Sequence, residues 1–178
     1  MSWSDGAKGA ARRGRSVALA LSACAVLAAC AFQPLYGPQG AGSKLTGQIA
    51  IAEPSSTSGY VMARQLERVF GPAPDPAYRL DYRLAIRSED AAITSGQEID
   101  RVNLIGTLNY TLRALPGGNT VTTGTSDGFV SYSSAGEPIA VNAARNDAEL
   151  RLARILADRT FVFVLSDPAV VAASGAAE

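Results

Sequence analysis

Residues 78–87 read Tyr-Arg-Leu-Asp-Tyr-Arg-Leu-Ala-Ile-Arg. Tyr78, Leu80, Tyr82, Leu84 and Ile86 alternate with Arg79, Asp81, Arg83, Ala85 and Arg87. A side-chain period of two belongs to a β-strand, and an apolar face backed by a polar one asks for cover on one side only. The same logic extends downstream. Val102 to Leu115 reads as a second long strand, with Val102, Leu104, Leu108, Tyr110 and Leu112 on one face. Pro116-Gly117-Gly118-Asn119 supplies a hairpin turn, and Thr120 to Ser133 returns as a third strand, with a bulge expected at Asp127-Gly128. Residues 88–98 form a polar connection able to lengthen either neighbouring strand.

On the N-terminal side, Leu45 to Ala52 reads as a strand. Ser55 to Gly59 offers capping residues for a helix from about Tyr60 to Phe70, where Met62, Leu66, Val69 and Phe70 make one stripe before Gly71-Pro72 stops it. Residues 138 to about 164 predict the longest helix. Pro138 suits its first turn, and Val141, Ala144, Ala148, Leu152, Ile155, Leu156, Val162 and Phe163 cluster on one side of the wheel. The helix between the first two strands favours a crossover that leaves them parallel, and the hairpins make the others antiparallel. The expected fold is α+β: two helices on one face of a four-stranded, mixed but mostly antiparallel sheet, in the order β-α-β-β-β-α.

The N-terminus reads as a targeting segment. Lys8, Arg12, Arg13 and Arg15 precede an apolar stretch from Val17 to Val26, which Leu27-Ala28-Ala29-Cys30 closes. Positive charge, a short apolar run and small residues are the parts of a signal peptide, and the apolar run falls short of the roughly 20 residues of a membrane span. Leu-Ala-Ala-Cys resembles a lipobox, the bacterial motif in which the cysteine is acylated and becomes the first mature residue. Cys30 is therefore the expected lipidation site and membrane anchor, each buried methylene contributing about 0.8 kcal/mol. Ala31 lacks the aspartate that holds enterobacterial lipoproteins in the inner membrane, which by resemblance implies the outer membrane.

The resulting division is a signal peptide over 1–29, a flexible tether over 30–44, one domain over 45–166 and a disordered tail over 167–178. Of the 16 basic and 16 acidic residues, four and one lie in the signal peptide, so the mature chain carries a net charge of about −3. No basic excess is left for a nucleic acid. The second cysteine, Cys24, falls in the discarded segment, so no disulfide is expected.

Histidine is absent, and with no mature free thiol the usual general bases, nucleophile pairs and metal clusters cannot be assembled. Glu89 with Asp90, and Glu98 with Asp100, are carboxylate pairs in a polar connection without apolar lining. They read as solvated acids. No enzyme activity, cofactor or metal is expected. Two surfaces are better candidates. Arg79, Arg83 and Arg87 fall on one strand face about 13 Å apart, where guanidinium groups suit phosphate or carboxylate, and Arg101 and Arg113 share the polar face of the next strand. A solvated face with Asp81 neutralising its neighbours is the plainer reading. The second surface is the back of the last helix, where Leu150, Ala157, Phe161 and Val164 form another apolar stripe. Leu150 and Phe161 become candidate partner contacts, unless 161–165 is an extended segment packed in the same core.

Cys30-Ala31-Phe32-Gln33-Pro34-Leu35-Tyr36-Gly37 is similar to the Cys-Gly-Phe-x-Pro-Leu-Tyr start of alphaproteobacterial LPS-assembly lipoproteins, the LptE family. Ala144-Arg145-Asn146-Asp147-Ala148-Glu149 and Ala153-Arg154-Ile155-Leu156-Ala157-Asp158 resemble that family's final helix. The resemblance covers essentially the whole mature chain; Ala31 replaces the usual glycine. It implies a non-enzymatic outer-membrane lipoprotein that plugs the LptD-like β-barrel inserting lipopolysaccharide, aids its assembly and binds lipopolysaccharide, working from the periplasmic side or the barrel lumen. No family motif maps onto Arg79, Arg83 and Arg87, whose assignment to lipopolysaccharide phosphates rests on charge alone. The alternatives are an auxiliary periplasm-facing lipoprotein of a transporter or secretion complex and, more remotely, a cell-wall enzyme using carboxylates.

Overall fold

The computed structural model describes residues 41–93 and 99–175. The signal peptide, Cys30, most of the tether, Glu98 and residues 176–178 lie outside them. The elements are α1 (Ala41–Leu45), β1 (Ile49–Ile51), α2 (Thr57–Phe70), β2 (Tyr78–Ile93), β3 (Ile99–Ala114), β4 (Thr120–Ser133), α3 (Pro138–Ser166) and α4 (Pro168–Gly175). One sheet runs β1-β2-β3-β4; β1 is parallel to β2 and the other pairs are antiparallel. This is the α+β architecture expected, with α2 and α3 on one face.

Local chemistry sets the helix ends. The Ser56 hydroxyl accepts from the Gly59 N–H at 3.1 Å, capping α2. Gly71, at φ +79°, turns the chain out while its N–H donates to the Glu67 carbonyl. Met62, Ala63, Leu66 and Phe70 form the buried stripe between these caps. The alternation in β2 and β3 holds: Leu80, Leu104, Leu108 and Leu112 are fully buried beneath the helices.

Glycine lets α3 approach the sheet. Gly106 and Gly128 face each other across β3 and β4, and a Cβ on Gly106 would lie 2.9 Å from Leu156 and 3.0 Å from Leu152. Beside this contact the Ser126 and Thr160 hydroxyls, both buried, bond at 2.9 Å. Phe161 packs edge-to-face on Phe70 with centroids 5.2 Å apart, and Arg68 meets Asp158 at 2.7 Å, joining α2 to α3.

Several expectations need correction. The first strand is three residues, because Leu45 instead ends α1 and buries itself in the core. Part of the expected tether is thus structured. The bulge expected at Asp127-Gly128 is absent: Gly128 pairs regularly with Gly106, and the register slips between Leu112 and Arg113 instead. Residues 88–93 lengthen β2, one of the two strands they were able to extend, and put Glu89 on that strand, exposed and bonded to Arg87. Residues 168–175, expected as tail, form α4 with Val170 fully buried.

The stripe of α3 differs most. Its buried residues are Ala148, Leu152, Leu156, Thr160 and Val164, with Ala153, Ala157, Phe161 and Leu165 beside them. Both rows advance by four, a ridge that drifts about 40° around the helix at each step. Val162 and Phe163, expected in the core, are 49% and 45% exposed. Phe161 and Val164, expected at the back, have rotated into it. The helix is also continuous to Ser166 rather than giving way to an extended segment.

A polar clasp ties α4 down. Asp167 accepts from the Thr122 hydroxyl at 2.5 Å and from the Ala169 N–H at 2.8 Å. The Thr122 bond, then the backbone N–H groups of Ala169 and Val170, hold its carboxyl below the ordinary range.

Candidate functional site

The sheet face opposite the helices is open, and three long strands order it into cross-strand rows. Arg79 sits opposite Arg113, with Asp81 opposite Thr111, Arg83 opposite Asn109, and Arg87 opposite Ile105. On the other side of β3, Ile105 faces Phe129, Thr107 faces Asp127, and Asn109 faces Thr125. Antiparallel sheets tolerate water on one side when that side is polar, and this one satisfies its own groups. Thr107 donates to Asp127 at 2.7 Å, Thr125 to Asn109 at 2.8 Å and Ser131 to Asn103 at 2.5 Å.

The arginine row is present but unequal. Arg79 bonds Asp81 at 2.9 Å, and Arg113 bonds the same carboxylate at 3.0 Å, so one acid holds two opposed guanidinium groups together. Arg113 also donates to the Gly118 carbonyl and the Thr120 hydroxyl, bracing the hairpin. Arg87 meets Glu89 at 3.0 Å. Arg83 is exposed and has no hydrogen bond or ion pair among the described residues. Arg101 stands apart, opposite Ser133. The neutralising role expected of Asp81 therefore applies to Arg79 and Arg113, and Arg83 is the member of the row without a partner among the described residues.

Beside it lies a feature that sequence reasoning missed. Phe129, 66% exposed, stands on the edge strand β4 next to Ile105 of β3 on the open face. Arg87, Ile105 and Phe129 form one row across three strands, spanning roughly 10 Å at about 4.8 Å per strand. Asn103, Asp127, Gly128 and Arg159 complete a hollow of about 430 Å³ around the two apolar residues. The signal was available: with Val130 and Tyr132 on the inner face, strand parity puts Phe129 outside. Arg87 and Arg159 beside the exposed Phe129 and the half-buried Ile105 suit an anionic amphiphile better than a simple ion.

The two partner-contact candidates separate. Leu150 is 39% exposed, whereas Phe161 is only 6% exposed and belongs to the core, out of a partner's reach. Ile139, 86% exposed near the start of α3, Val162 and Phe163 are, with Leu150, the large apolar side chains that helix exposes. Among the described residues no three Asp or Glu side chains converge as a metal site would require.

No protein-family model matches the chain, and no curated protein matches it in sequence. Solved structures do match. A "putative lipoprotein" from Caulobacter crescentus CB15, 22% identical, aligns over 76% of this chain and 96% of its own with a TM-score of 0.59. A minor lipoprotein from Acinetobacter baumannii, 15% identical, aligns over 66% of this chain and 89% of its own at 0.54. An uncharacterized lipoprotein B from Nitrosomonas europaea, 8% identical, covers 66% and 81% at 0.50. The fold is shared. At these identities the likeness extends to the arrangement of helices and strands and not to individual site residues.

Proposed function

We propose that this chain is an outer-membrane lipoprotein, anchored through Cys30, that plugs and helps assemble the LptD-like β-barrel inserting lipopolysaccharide into the outer leaflet. The observation that carries the reading is a coincidence of two independent features. The segment from Cys30 to Gly37 resembles the start of the LptE family, and the fold downstream is one found in bacterial lipoprotein structures. The open sheet face deepens it. Arg83 and Arg87 offer charge to lipid A phosphates, while Ile105 and Phe129 offer a surface to an acyl chain.

Affinity purification of the tagged full chain from its own envelope tests the partner. A large heat-modifiable barrel protein is expected with it; recovery of inner-membrane transporter subunits instead would favour an auxiliary transport lipoprotein and sink the plug. For the ligand, Arg83→Glu with Arg87→Glu is expected to weaken lipopolysaccharide binding at least several-fold. Unchanged binding would reduce the row to a solvated face.

A further inference from the structure

The two edges of the sheet are treated differently. On β4 the outward backbone groups belong to Thr123, Thr125, Asp127, Phe129, Ser131 and Ser133, because the residues between them pair with β3. Arg151 donates to the Ser131 carbonyl and Arg159 to the Asp127 carbonyl. The spacings match: eight helical residues rise about 12 Å, and four strand residues span about 13 Å. Two arginines of α3 thus occupy the edge where another strand would otherwise attach.

Among the described residues the opposite edge has no such guard. β1 pairs only with Tyr78, Arg79 and Leu80, and its last bond runs from the Ala52 N–H to the Leu80 carbonyl. Beyond it, Tyr82, Leu84, Ile86, Ser88 and Asp90 direct their N–H and C=O groups outward with no partner among the described residues. Regular pairing to β3 continues to Asp90 and slips just after it. The bare edge therefore spans 82–90, bounded by β1 at one end and by the irregularity at the other. Residues 85 and 87–90 on it are exposed.

We propose that this edge pairs with the same edge of a second copy, antiparallel and centred on Ile86. Outward-bonding residues must face one another, which leaves only registers that place even positions opposite even positions. Charge then selects among them. Centred on Ile86, Arg83 of each copy faces Glu89 of the other, and Arg87 faces Ala85. A shift of one residue at the centre, to Ala85, puts Arg83 against Arg87, and a shift to Arg87 puts that residue against itself. Both carry like charges directly opposite and are disfavoured. In the favoured register Arg83, without a partner among the described residues of its own chain, joins the Arg87–Glu89 pair of its neighbour.

Five residues per copy then exchange about ten backbone hydrogen bonds, two for each bonded pair. The contact is isologous, and the guarded β4 edge gives it no way to grow, so association closes at two copies rather than building a filament.

Sedimentation of the full chain in density-matched detergent tests this, with circular dichroism confirming the fold of each variant. The unaltered chain is expected to dimerise at concentrations up to roughly 100 μM, within reach of a weak interface. Arg83→Glu and Glu89→Arg are each expected to raise the dimer dissociation constant about ten-fold, and the double variant R83E/E89R to restore it. A chain that stays monomeric, a dimer indifferent to both single reversals, or a double variant no better than the singles overturns the proposal. Association through the apolar N-terminal segment would show the second of these patterns.

Discussion

The two faces of the sheet are made from alternate residues of the same strands, yet they obey different physics. On the covered face Leu80, Leu104, Leu108 and Leu112 are fully buried, and Gly106 and Gly128 hold the space into which Leu152 and Leu156 fit. On the open face Asp81, Asn103, Asn109 and Asp127 are bonded to neighbours across the strands, and Phe129 is left mostly bare beside Ile105. Shape decides the first face and charge the second. Substitutions should therefore cost stability on one side and binding on the other.

The largest effect is expected from Leu108→Ala or Leu156→Ala, each opening a cavity in a fully buried site. Either should lower the unfolding free energy by about 2–5 kcal/mol in a denaturant titration. Gly106→Val tests shape on that same face from the opposite direction. It should destabilise by about 1–3 kcal/mol, since its Cβ alone meets Leu156 at 2.9 Å.

Asp167→Asn probes the clasp at the margin of the covered face, with an expected loss of about 0.5–2 kcal/mol. Its sign with pH is set by the depressed carboxyl. The stabilisation is full above the ordinary value of 3.8 and disappears as pH falls through the lower folded-state value. The difference between wild type and variant should shrink on acidification, and a gap that widens would contradict the clasp.

Phe129→Ala should change stability by no more than about 0.5 kcal/mol, because the side chain is mostly exposed. It should nonetheless weaken lipopolysaccharide binding if the open face is the contact surface. Arg79→Ala is expected to be smallest, under about 1 kcal/mol, because its bond to Asp81 is exposed and Arg113 keeps that carboxylate paired. A large loss from either would show that the open face contributes to folding after all.

The sequence alone determined the features that depend on short-range periodicity. The alternation from Tyr78 to Ile86 specified β2 and which residues it buries, because a strand's period of two does not drift. Ser56, Gly71 and the Pro116–Asn119 turn marked element ends through local backbone chemistry. The same parity located the arginine row on the open face, and it held the information that Phe129 joins it there. Tertiary structure decided what depends on groups distant in the chain. Which arginines of the row Asp81 neutralises was settled by its reaching both Arg79 and, across the strands, Arg113. The burial of Phe161 was settled by a ridge that winds around α3 and by Phe70 waiting 5.2 Å away. A fixed wheel cannot carry that drift along a helix of 29 residues. Likewise, residues 168–175 looked featureless until the Thr122 hydroxyl and the core supplied partners for Asp167 and Val170. Local periods are written in neighbouring residues, whereas pairing and packing are settled only when separate segments meet.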